Sequence, residues 1–391
     1  MYTVAVVTGT RAEYGLLRPV LLEMQKSSLL EPVLLVTGAH LSQKHGHTVG
    51  EIEADGFSVA ARLDILSQPV PPGRAGTARR TAIALEQFLS WFGHNRPAAL
   101  LALGDRYEML AAGQAAALLG IPVAHISGGD VTLGADDDWF RHCLTKMAKL
   151  HFPSCEAYRR RIIRMGEQPD YVLNVGGLGD ENIRKAPLYT HAEVEKQLGF
   201  KIPKPYALAT LHPETAGGTP PAQLAAALMA GLNAHPQLFC LVTGANADAG
   251  GSELNAILQA FCADKPNAEF VMSLGALRYL SLMKRAAVVV GNSSSGVVET
   301  PSFGVPAVDI GTRQQGRVTG ENVLRCRADG EAVAKAVERA LTPAFAKHAQ
   351  KVKSPYNGGD TSKKIVQALE AFLENGKLAG PKAFYDGEVP G

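Results

Sequence analysis

The segment of the sequence that is most informative about the fold is Ala287-Val-Val-Val-Gly-Asn-Ser-Ser-Ser-Gly-Val-Val-Glu-Thr-Pro-Ser-Phe-Gly-Val-Pro306. The apolar run Ala307-Val-Asp-Ile310 follows it. Four apolar residues lead into Gly291, a polar turn follows, and a helix is predicted to begin near Gly296. The pattern is therefore strand, tight turn, helix and strand, which is the repeating unit of a parallel α/β sheet.

This turn has the composition of a phosphate site. Ser293, Ser294 and Ser295 supply consecutive hydroxyls at the start of the predicted helix, where backbone N–H groups and the helix dipole favour an anion. Glu299 follows about one helical turn later, and a carboxylate there suits the paired hydroxyls of a ribose. The alternative is structural: a serine N-cap, with Glu299 complementing the helix dipole.

A similar unit opens the chain. The β-rich run Val4–Gly9 passes into the turn Thr8-Gly-Thr-Arg-Ala-Glu-Tyr-Gly15, and apolar residues at helical spacing follow. Ligands of open α/β sheets bind where the strands end, so Arg11 in this turn is a candidate ligand for a phosphate. The alternative is that Arg11 forms a surface salt bridge.

Two further strands end in acidic turns. Ala98–Leu103 is followed by Gly104-Asp-Arg-Tyr-Glu108, and Val123–Ile126 is followed by Ser127-Gly-Gly-Asp130 and then by Thr132-Leu-Gly-Ala-Asp-Asp-Asp138. Composition alone fits a solvated loop or an N-cap equally well, but a place directly after buried strands favours chemistry. We therefore predict catalytic carboxylates at Asp105, Asp130, Asp137 and Asp138, and substrate contacts at Arg106 and His125.

The length and the order of elements indicate two domains. We predict an α/β fold with two Rossmann-like domains, one at 1–180 completed by a C-terminal helix at about 361–391, and one at 187–360. Strands at Leu150–Pro153 and Tyr171–Val175 are expected to complete the first. The second opens with a strand that ends in His212-Pro213-Glu214. A lone histidine after a strand is more often structural, so the residues alone make His212 the weaker candidate.

Composition argues against several classes of partner. A formal charge of +2 with dispersed basic residues indicates neither nucleic acid nor a membrane surface. The basic cluster Arg159–Arg164 fits the solvent face of an amphipathic helix. Five cysteines without a Cys-x-x-Cys pair indicate a reducing, cytoplasmic location. His45 and His47 have no third ligand at convincing spacing, so we predict no metal and no other cofactor.

The motifs resemble those of the hydrolysing UDP-N-acetylglucosamine 2-epimerases, which act in sialic acid and related nonulosonic acid pathways. The segments that carry the resemblance are Asn292–Glu299, Gly311-Thr-Arg-Gln-Gln-Gly-Arg317, Gly320-Glu-Asn-Val323 and Gly104-Asp-Arg106, and it extends to Lys382-Ala-Phe-Tyr-Asp386. The resemblance implies a GT-B-like fold, in which two domains face each other across a cleft and take a UDP-sugar as substrate.

The resemblance also implies residue roles. Asp105 is expected to transfer protons, Arg11 and Arg313 to contact the nucleotide, and His212 to be a catalytic residue of the sugar-nucleotide site. Ser127 stands where some members have a catalytic Glu, and Asp130 is shorter than their second Glu. Asp137 and Asp138 match the Asp pair of the family and partly cover that loss.

The implied reaction removes the C2 proton of UDP-N-acetylglucosamine, expels UDP and adds water to 2-acetamidoglucal, which gives free N-acetylmannosamine. Three alternatives remain at this point: a non-hydrolysing UDP-sugar epimerase, a GT-B glycosyltransferase, and a nucleotide-sugar-binding protein without turnover. The Gly311–Arg317 segment favours the hydrolysing branch, and Ser127 keeps the binding protein in consideration. A homodimer or homotetramer is expected.

Overall fold

The computed structural model describes residues 1–43, 47–71, 73–132, 137–214, 219–245 and 250–389. The chain divides into two compact units. The first comprises Met1–Asp130, Asp136–Asn182 and Gly358–Gly391, and the second comprises Val131–Ala135 and Ile183–Asn357.

Strands and helices alternate along most of the chain. The strands are β1 (Tyr2–Thr8), β2 (Leu30–Thr37), β3 (Val59–Leu63), β4 (Ala99–Leu103), β5 (Val123–Ile126), β6 (Leu150–Phe152), β7 (Tyr206–Thr210), β8 (Phe239–Thr243), β9 (Ala268–Val271), β10 (Val288–Gly291), β11 (Ala307–Ile310) and β12 (Val323–Cys326). The helices are α1 (Arg11–Met24), α2 (Val49–Ala54), α3 (Gly73–Asn95), α4 (Tyr107–Leu118), α5 (Asp137–Met147), α6 (Glu156–Arg164), α7 (Leu178–Lys185), α8 (His191–Leu198), α9 (Pro221–Asn233), α10 (Gly251–Ala263), α11 (Ala276–Met283), α12 (Ser294–Val298), α13 (Thr300–Phe303), α14 (Gly330–Leu341), α15 (Pro343–Ala349) and α16 (Thr361–Glu374).

Each unit is built on one parallel sheet. Within the described residues, the first sheet has six strands in the order β3-β2-β1-β4-β5-β6, and the second has six in the order β12-β11-β10-β7-β8-β9. Every pairing between these strands is parallel. The strand order reverses direction between β1 and β4 and again between β7 and β10, which are the places where doubly wound sheets bind ligands. The predicted α/β class with two Rossmann-like domains is confirmed.

Helices cover both faces of the first sheet, which is why the middle of β1 is a run of apolar residues. Val4 to Val7 are all fully buried. On one face, Leu17 and Leu21 of α1 pack in the same cluster as Ile365 and Leu369 of α16. Full burial of each such side chain stabilises the fold by roughly 1.5–3 kcal/mol, so the late helix α16 is an integral part of the first unit.

The predicted strand at Tyr171–Val175 is wrong. Pro169–Tyr171 is a turn of 3-10 helix, and Val172 forms only an isolated bridge with His151. The N–H groups of Leu173 and Val175 donate to the carbonyls of His151 and Pro153. Pro153 has no N–H to return a bond, so the ladder ends there.

Candidate functional site

Acidic residues gather at the carboxyl edge of the first sheet, after β4 and β5 and at the start of α5. We call the group Asp105, Asp130, Asp137, Asp138 and Arg141 the acidic site. Arg141 is its centre: the side chain is only 2% exposed, and it donates to Asp105 and, at 3.3 Å, to Asp138. A buried guanidinium needs such partners, because burying an unpaired charge is strongly unfavourable. Arg141 thereby fixes the orientation of both carboxylates.

The carboxyl of Asp137 has a raised proton affinity. Removal from water, and then repulsion from Asp105, raises the pKa of Asp137 to about 6. The residue as a whole is nevertheless exposed, at the first position of α5. A carboxyl with such a pKa accepts and returns a proton near neutral pH, which is what a general base or acid requires.

His125 lies beneath the acidic site. Its ring is fully buried, and its two nitrogens lie 2.8 Å from the carbonyl of Gly104 and 3.4 Å from the hydroxyl of Thr145. The Gly104 carbonyl only accepts, so Nε2 carries the proton and donates to it. Burial lowers the pKa of His125 to about 3, which keeps the ring neutral. This geometry supports the turn that bears Asp105. Direct contact between His125 and a substrate stays a prediction.

Arg106 is engaged by carboxylates. Its guanidinium donates to both oxygens of buried Glu108, at 2.9 and 3.2 Å, and its Nε lies 3.7 Å from a Glu13 oxygen. Glu13 accepts from the backbone N–H groups of Gly9 and Thr10. Burial, followed by repulsion from Glu108, raises the pKa of Glu13 to about 7. Glu13 and Glu108 therefore form a second group of carboxylates, next to the turn that carries Asp105.

Two other arginines have contacts of their own. Arg11 is 72% exposed and pairs with Glu51 at 2.9 Å, which matches the surface salt bridge named as its alternative, and its contact with a phosphate stays a prediction. Arg161, expected on a solvent face, instead donates to the carbonyl of Gly129 and lies over the ring of Tyr158. Helix α6 turns this one member of the basic cluster towards the Ser127–Asp130 turn. That part of the solvent-face prediction is wrong.

The second unit has its own polar turn, between β10 and α12. We call Ser293, Ser294, Ser295, Glu299 and Arg313 the serine site. Helix α12 begins at Ser294, two residues before the predicted start, and Ser293 caps it by accepting from the N–H of Ser295. Gly291 precedes the turn at φ +143°, and a Cβ there would stand 1.8 Å from the carbonyl oxygen of Thr210. Only glycine permits this close approach of the backbones.

Glu299 lies at the C-terminal end of α12 and is half-buried. Burial raises the pKa of Glu299 to about 7, against a hydrogen bond with Ser295. The hydroxyl of Tyr279 lies 3.3 Å from that of Thr210 and also interacts with Ser295. A carboxyl held this way gains most from a ligand that brings hydroxyl donors to it.

Backbone clamps set the position of the serine site. The side-chain amide of Asn292 accepts from the N–H of His212 at 2.7 Å and donates to its carbonyl at 2.8 Å. The carbonyl of Asn292 in turn accepts from the side chains of Arg313 and Gln314, at 3.2 and 2.9 Å. Hydrogen bonds therefore connect the turns after β7, β10 and β11 to one another.

Glu214 completes these clamps. Its carboxylate accepts from the N–H groups of Thr219, Thr312 and Arg313, at 2.7, 2.7 and 3.1 Å. Burial acts to raise the pKa of Glu214, but these hydrogen bonds outweigh it and hold the pKa below the ordinary value of 4.5. An ionised Glu214 thus anchors the loop that presents Arg313.

Comparison with known proteins identifies the family. A family model described as UDP-N-acetylglucosamine 2-epimerase matches residues 22–370. The chain belongs to the UDP-N-acetylglucosamine 2-epimerase family.

Relatives and a solved structure agree with the match. The chain is 32% identical over 390 residues to an Escherichia coli protein named polysialic acid biosynthesis protein P7, covering 99% of this chain and 98% of that one. It is 36% identical over 322 residues to a Campylobacter jejuni protein named GDP/UDP-N,N'-diacetylbacillosamine 2-epimerase (hydrolyzing), covering 82% and 83%. The structure of UDP-GlcNAc 2-epimerase from Neisseria meningitidis bound to UDP-GlcNAc has a TM-score of 0.79 at 17% identity, covering 94% and 99%; at that identity the likeness shows the fold.

Several polar residues of this family member escaped the sequence-based site prediction. Arg141, Glu13, Asn292, Glu214 and Tyr279 all hold or adjoin predicted site residues. Arg141 lies three residues after Asp138, a spacing that places both on one helix face. Glu214 follows the His212-Pro213 pair directly. Their partners are distant in sequence, so their importance depends on the tertiary fold.

Two other features of this epimerase-family chain concern metals and membranes. Among the residues that the structure describes, no group of three His, Cys, Asp or Glu side chains has an arrangement suited to a metal ion. His45 of the His45–His47 pair lies outside the described residues. In the part of the chain covered by the structure, no helix is both long enough and apolar enough to cross a bilayer.

Proposed function

We propose that this protein is a hydrolysing 2-epimerase that converts UDP-N-acetylglucosamine, or a related UDP-2-acetamido sugar, into UDP and the free 2-epimeric sugar. The observation that carries the proposal is the acidic site: Asp137 has a near-neutral pKa and stands beside carboxylates that Arg141 orients. Family membership and the names of the relatives support the same reaction.

In the first step, a carboxylate of the acidic site removes the C2 proton. The C2–H electron pair forms the C1=C2 double bond while the C1–O bond breaks and UDP leaves, giving a 2-acetamidoglucal. We assign Asp137 as the group that exchanges this proton, because its pKa is about 6. Asp105, paired with Arg141, orients and polarises the reacting sugar.

In the second step, water adds across the double bond. A carboxyl delivers a proton to C2 from the opposite face, one water molecule bonds to C1 and gives its own proton back to that carboxylate, and the product is a free N-acetylmannosamine-type sugar. Asp130 belongs to the acidic site and follows β5, and we assign it this second transfer, because a serine hydroxyl such as that of Ser127 is far too weak an acid for the role. Asp138 accepts a hydrogen bond from Arg141 and is the alternative residue for this proton transfer.

The serine site would hold UDP. Helix α12 has only five residues, so its dipole is weak, and Ser293, Ser294 and Arg313 would supply most of the attraction for the diphosphate. Glu299 would accept hydrogen bonds from the ribose hydroxyls. His212, fixed at its backbone by Asn292, would complete the nucleotide contacts.

One experiment separates this function from its alternatives. The purified protein is incubated in deuterium oxide with UDP-N-acetylglucosamine and, in parallel, with UDP-N,N'-diacetylbacillosamine, and products are followed by NMR. UDP plus a free sugar with deuterium at C2 is the expected result. An epimer still bound to UDP would indicate the non-hydrolysing reaction. An unchanged sugar nucleotide would leave a transferase that requires an acceptor, or a binding protein.

Location and assembly complete the proposal. We assign a cytoplasmic location, supported by the nucleotide-sugar substrate and by five cysteines that are all free. A homodimer or homotetramer is proposed as the working state, and analytical ultracentrifugation checks it. Activity is expected to persist after EDTA treatment. Loss of activity that a divalent cation restores would overturn the metal-free mechanism.

A further inference from the structure

Helix α5 contributes to the acidic site only through its first turns, but it is held along its whole length. Near its start Arg141 pairs with Asp105, and one turn later the Thr145 hydroxyl lies 3.4 Å from the His125 ring. These residues are four apart and share one helix face. The remaining end of α5, at Lys146 and Met147, lies away from the reacting groups.

A lysine from the end of the chain binds that far end. The Lys382 ammonium donates to the carbonyl of Lys146 at 2.8 Å and lies 3.4 Å from that of Thr145. The last carbonyls of a helix have no intrahelical partner, and a cation there also complements the helix dipole. Lys382 therefore closes the C-terminal end of α5 from a position 237 residues beyond Thr145 in the sequence.

A buried carboxylate secures the lysine. Glu167, whose side chain is 1% exposed, lies 2.6 Å from the ammonium of Lys382 and 2.7 Å from that of Lys146, and it accepts from the His151 ring at 3.1 Å. Burial acts to raise the pKa of Glu167, but these three donors hold it below its usual range. His151 on β6 pairs in register with His125 on β5. The cluster around Glu167 therefore lies next to His125, which supports the turn that bears Asp105.

The chain on both sides of Lys382 is also attached to the first unit. Before it, the Lys149 ammonium lies 3.2 and 3.1 Å from the carbonyls of Leu378 and Gly380. After it, the N–H of Tyr385 donates to the carbonyl of Gly166 at 2.9 Å, and its ring packs on Ile162, Ile163 and Val172. The segment that presents Lys382 is thus seated by contacts of its own.

We propose that Lys382 is a positioning residue for the reaction: it fixes the C-terminal end of α5 and so places Asp137, Asp138 and Arg141 at the other end. The inference rests on the proposed function. Helix α5 has 11 residues, so it is roughly 16 Å long, and a small tilt at one end displaces the other. A displacement of about 1 Å in reacting groups lowers a rate by about 100-fold.

The test compares three variants of the full chain. Lys382→Met keeps the aliphatic stem but removes the ammonium, and it should lower kcat about 10-fold or more while KM and the dissociation constant for UDP change less than about 2-fold. Lys382→Arg restores a donor and should recover most of kcat. Lys377→Met is the matched control, because its ammonium lies over the Phe372 ring and away from α5. It should behave as wild type.

A second readout does not depend on turnover. Hydrogen exchange of the backbone amides in 137–147 should be faster in Lys382→Met than in wild type, while α9 of the second unit exchanges at an unchanged rate. Wild-type kcat together with unchanged exchange in Lys382→Met would overturn the proposal. If the wild-type protein turns over no nucleotide sugar, the proposed function fails, and the exchange comparison still decides whether Lys382 holds α5.

A further variant covers the case in which Lys382→Met does not fold. Glu167→Gln removes the charge that secures Lys382 but keeps the shape and one acceptor. A lower kcat with unchanged UDP affinity supports the proposal, and an unchanged kcat overturns it. Combined with Lys382→Arg, Glu167→Gln should have a smaller effect than on wild type, because the arginine binds the α5 carbonyls through additional donors.

Discussion

The acidic site and the serine site occupy equivalent edges of two parallel sheets, but different forces hold them. In the acidic site charged side chains hold one another, as Arg141 pairs with Asp105 and Asp138, and next to it Arg106 pairs with Glu108. In the serine site, side chains hold backbone: Asn292 binds both polar atoms of the His212 peptide, and Glu214 gathers three N–H groups.

The difference matches what each site is proposed to do. Proton transfer needs carboxyls whose pKa depends on neighbours, and clustered charges supply that dependence. A nucleotide site needs donors at fixed positions before the ligand arrives, because ordering them on binding lowers affinity. We therefore expect changes in the acidic site to alter turnover and changes in the serine site to alter affinity.

The largest effect is expected in the acidic site. Asp130→Asn and Asp137→Asn should each lower turnover by at least roughly 100-fold, the lower range for general acid–base catalysis, and Asp105→Asn should have a similar effect because the sugar is no longer oriented and polarised. UDP affinity, measured by calorimetry, should stay unchanged. Asp170→Asn is the control, since Asp170 is exposed and remote from these contacts. Near-normal turnover in Asp130→Asn would move its role to Asp138.

An opposite signature is expected from the serine site. Glu299→Gln should weaken UDP binding by about 1.5–3 kcal/mol, roughly 10- to 150-fold, as for loss of hydrogen bonds to a charged group. The kcat at saturating substrate should change much less. Glu338→Gln, an exposed exchange in the same unit, serves as the control. Equal UDP affinity in Glu299→Gln and wild type would mean that Glu299 does not bind the ribose. The two sites would then not differ in the way expected here.

The pH dependence of UDP binding tests the role of Glu299 in a second way. Because the pKa of Glu299 is raised to about 7 in the free protein, the folded state favours its protonated form, and this contribution to stability is lost as pH rises through 7. Ribose hydroxyls prefer the ionised carboxylate, so UDP affinity should increase over the same range. Titrations in buffers of different ionisation enthalpy should show proton release on binding at about pH 6.5.

Glu299→Gln provides the control for that measurement. The terminal phosphate of UDP also ionises, with a second pKa of about 6, and contributes equally in both proteins. The difference between wild type and Glu299→Gln therefore isolates the carboxyl. Identical proton release from the two proteins would contradict the assignment of Glu299 to the ribose.

The smallest effect concerns acid stability. The pKa of Glu214 lies below 4.5 in the folded protein, so its contribution is present above that pH and is lost as pH falls through the folded pKa. In Glu214→Gln, thermal unfolding followed from about pH 7 to pH 3 should show a weaker decline in Tm than in wild type. A decline of equal slope would mean that other carboxylates dominate acid unfolding.

Residue patterns along the chain were enough to predict the class of fold, which is confirmed, and to propose where the sites lie. Apolar runs that end in glycine and polar turns predict parallel strands, and ligands bind at the carboxyl ends of such strands. Asp105, Asp137, Ser293 and Glu299 are predicted as site residues this way, and each lies within two residues of the end of a strand or at an end of the next helix. Local periodicity and turn composition are sufficient for that much.

The contacts that hold those residues in place arise from the tertiary structure alone. Arg141 meets Asp105 across 36 positions, Asn292 meets His212 across 80, and Lys382 meets Glu167 from the far end of the chain. The raised pKa values of Asp137 and Glu299 likewise follow from burial and from neighbours brought together by folding. Electrostatic interaction and desolvation depend on distance in space, which periodicity along the chain does not encode.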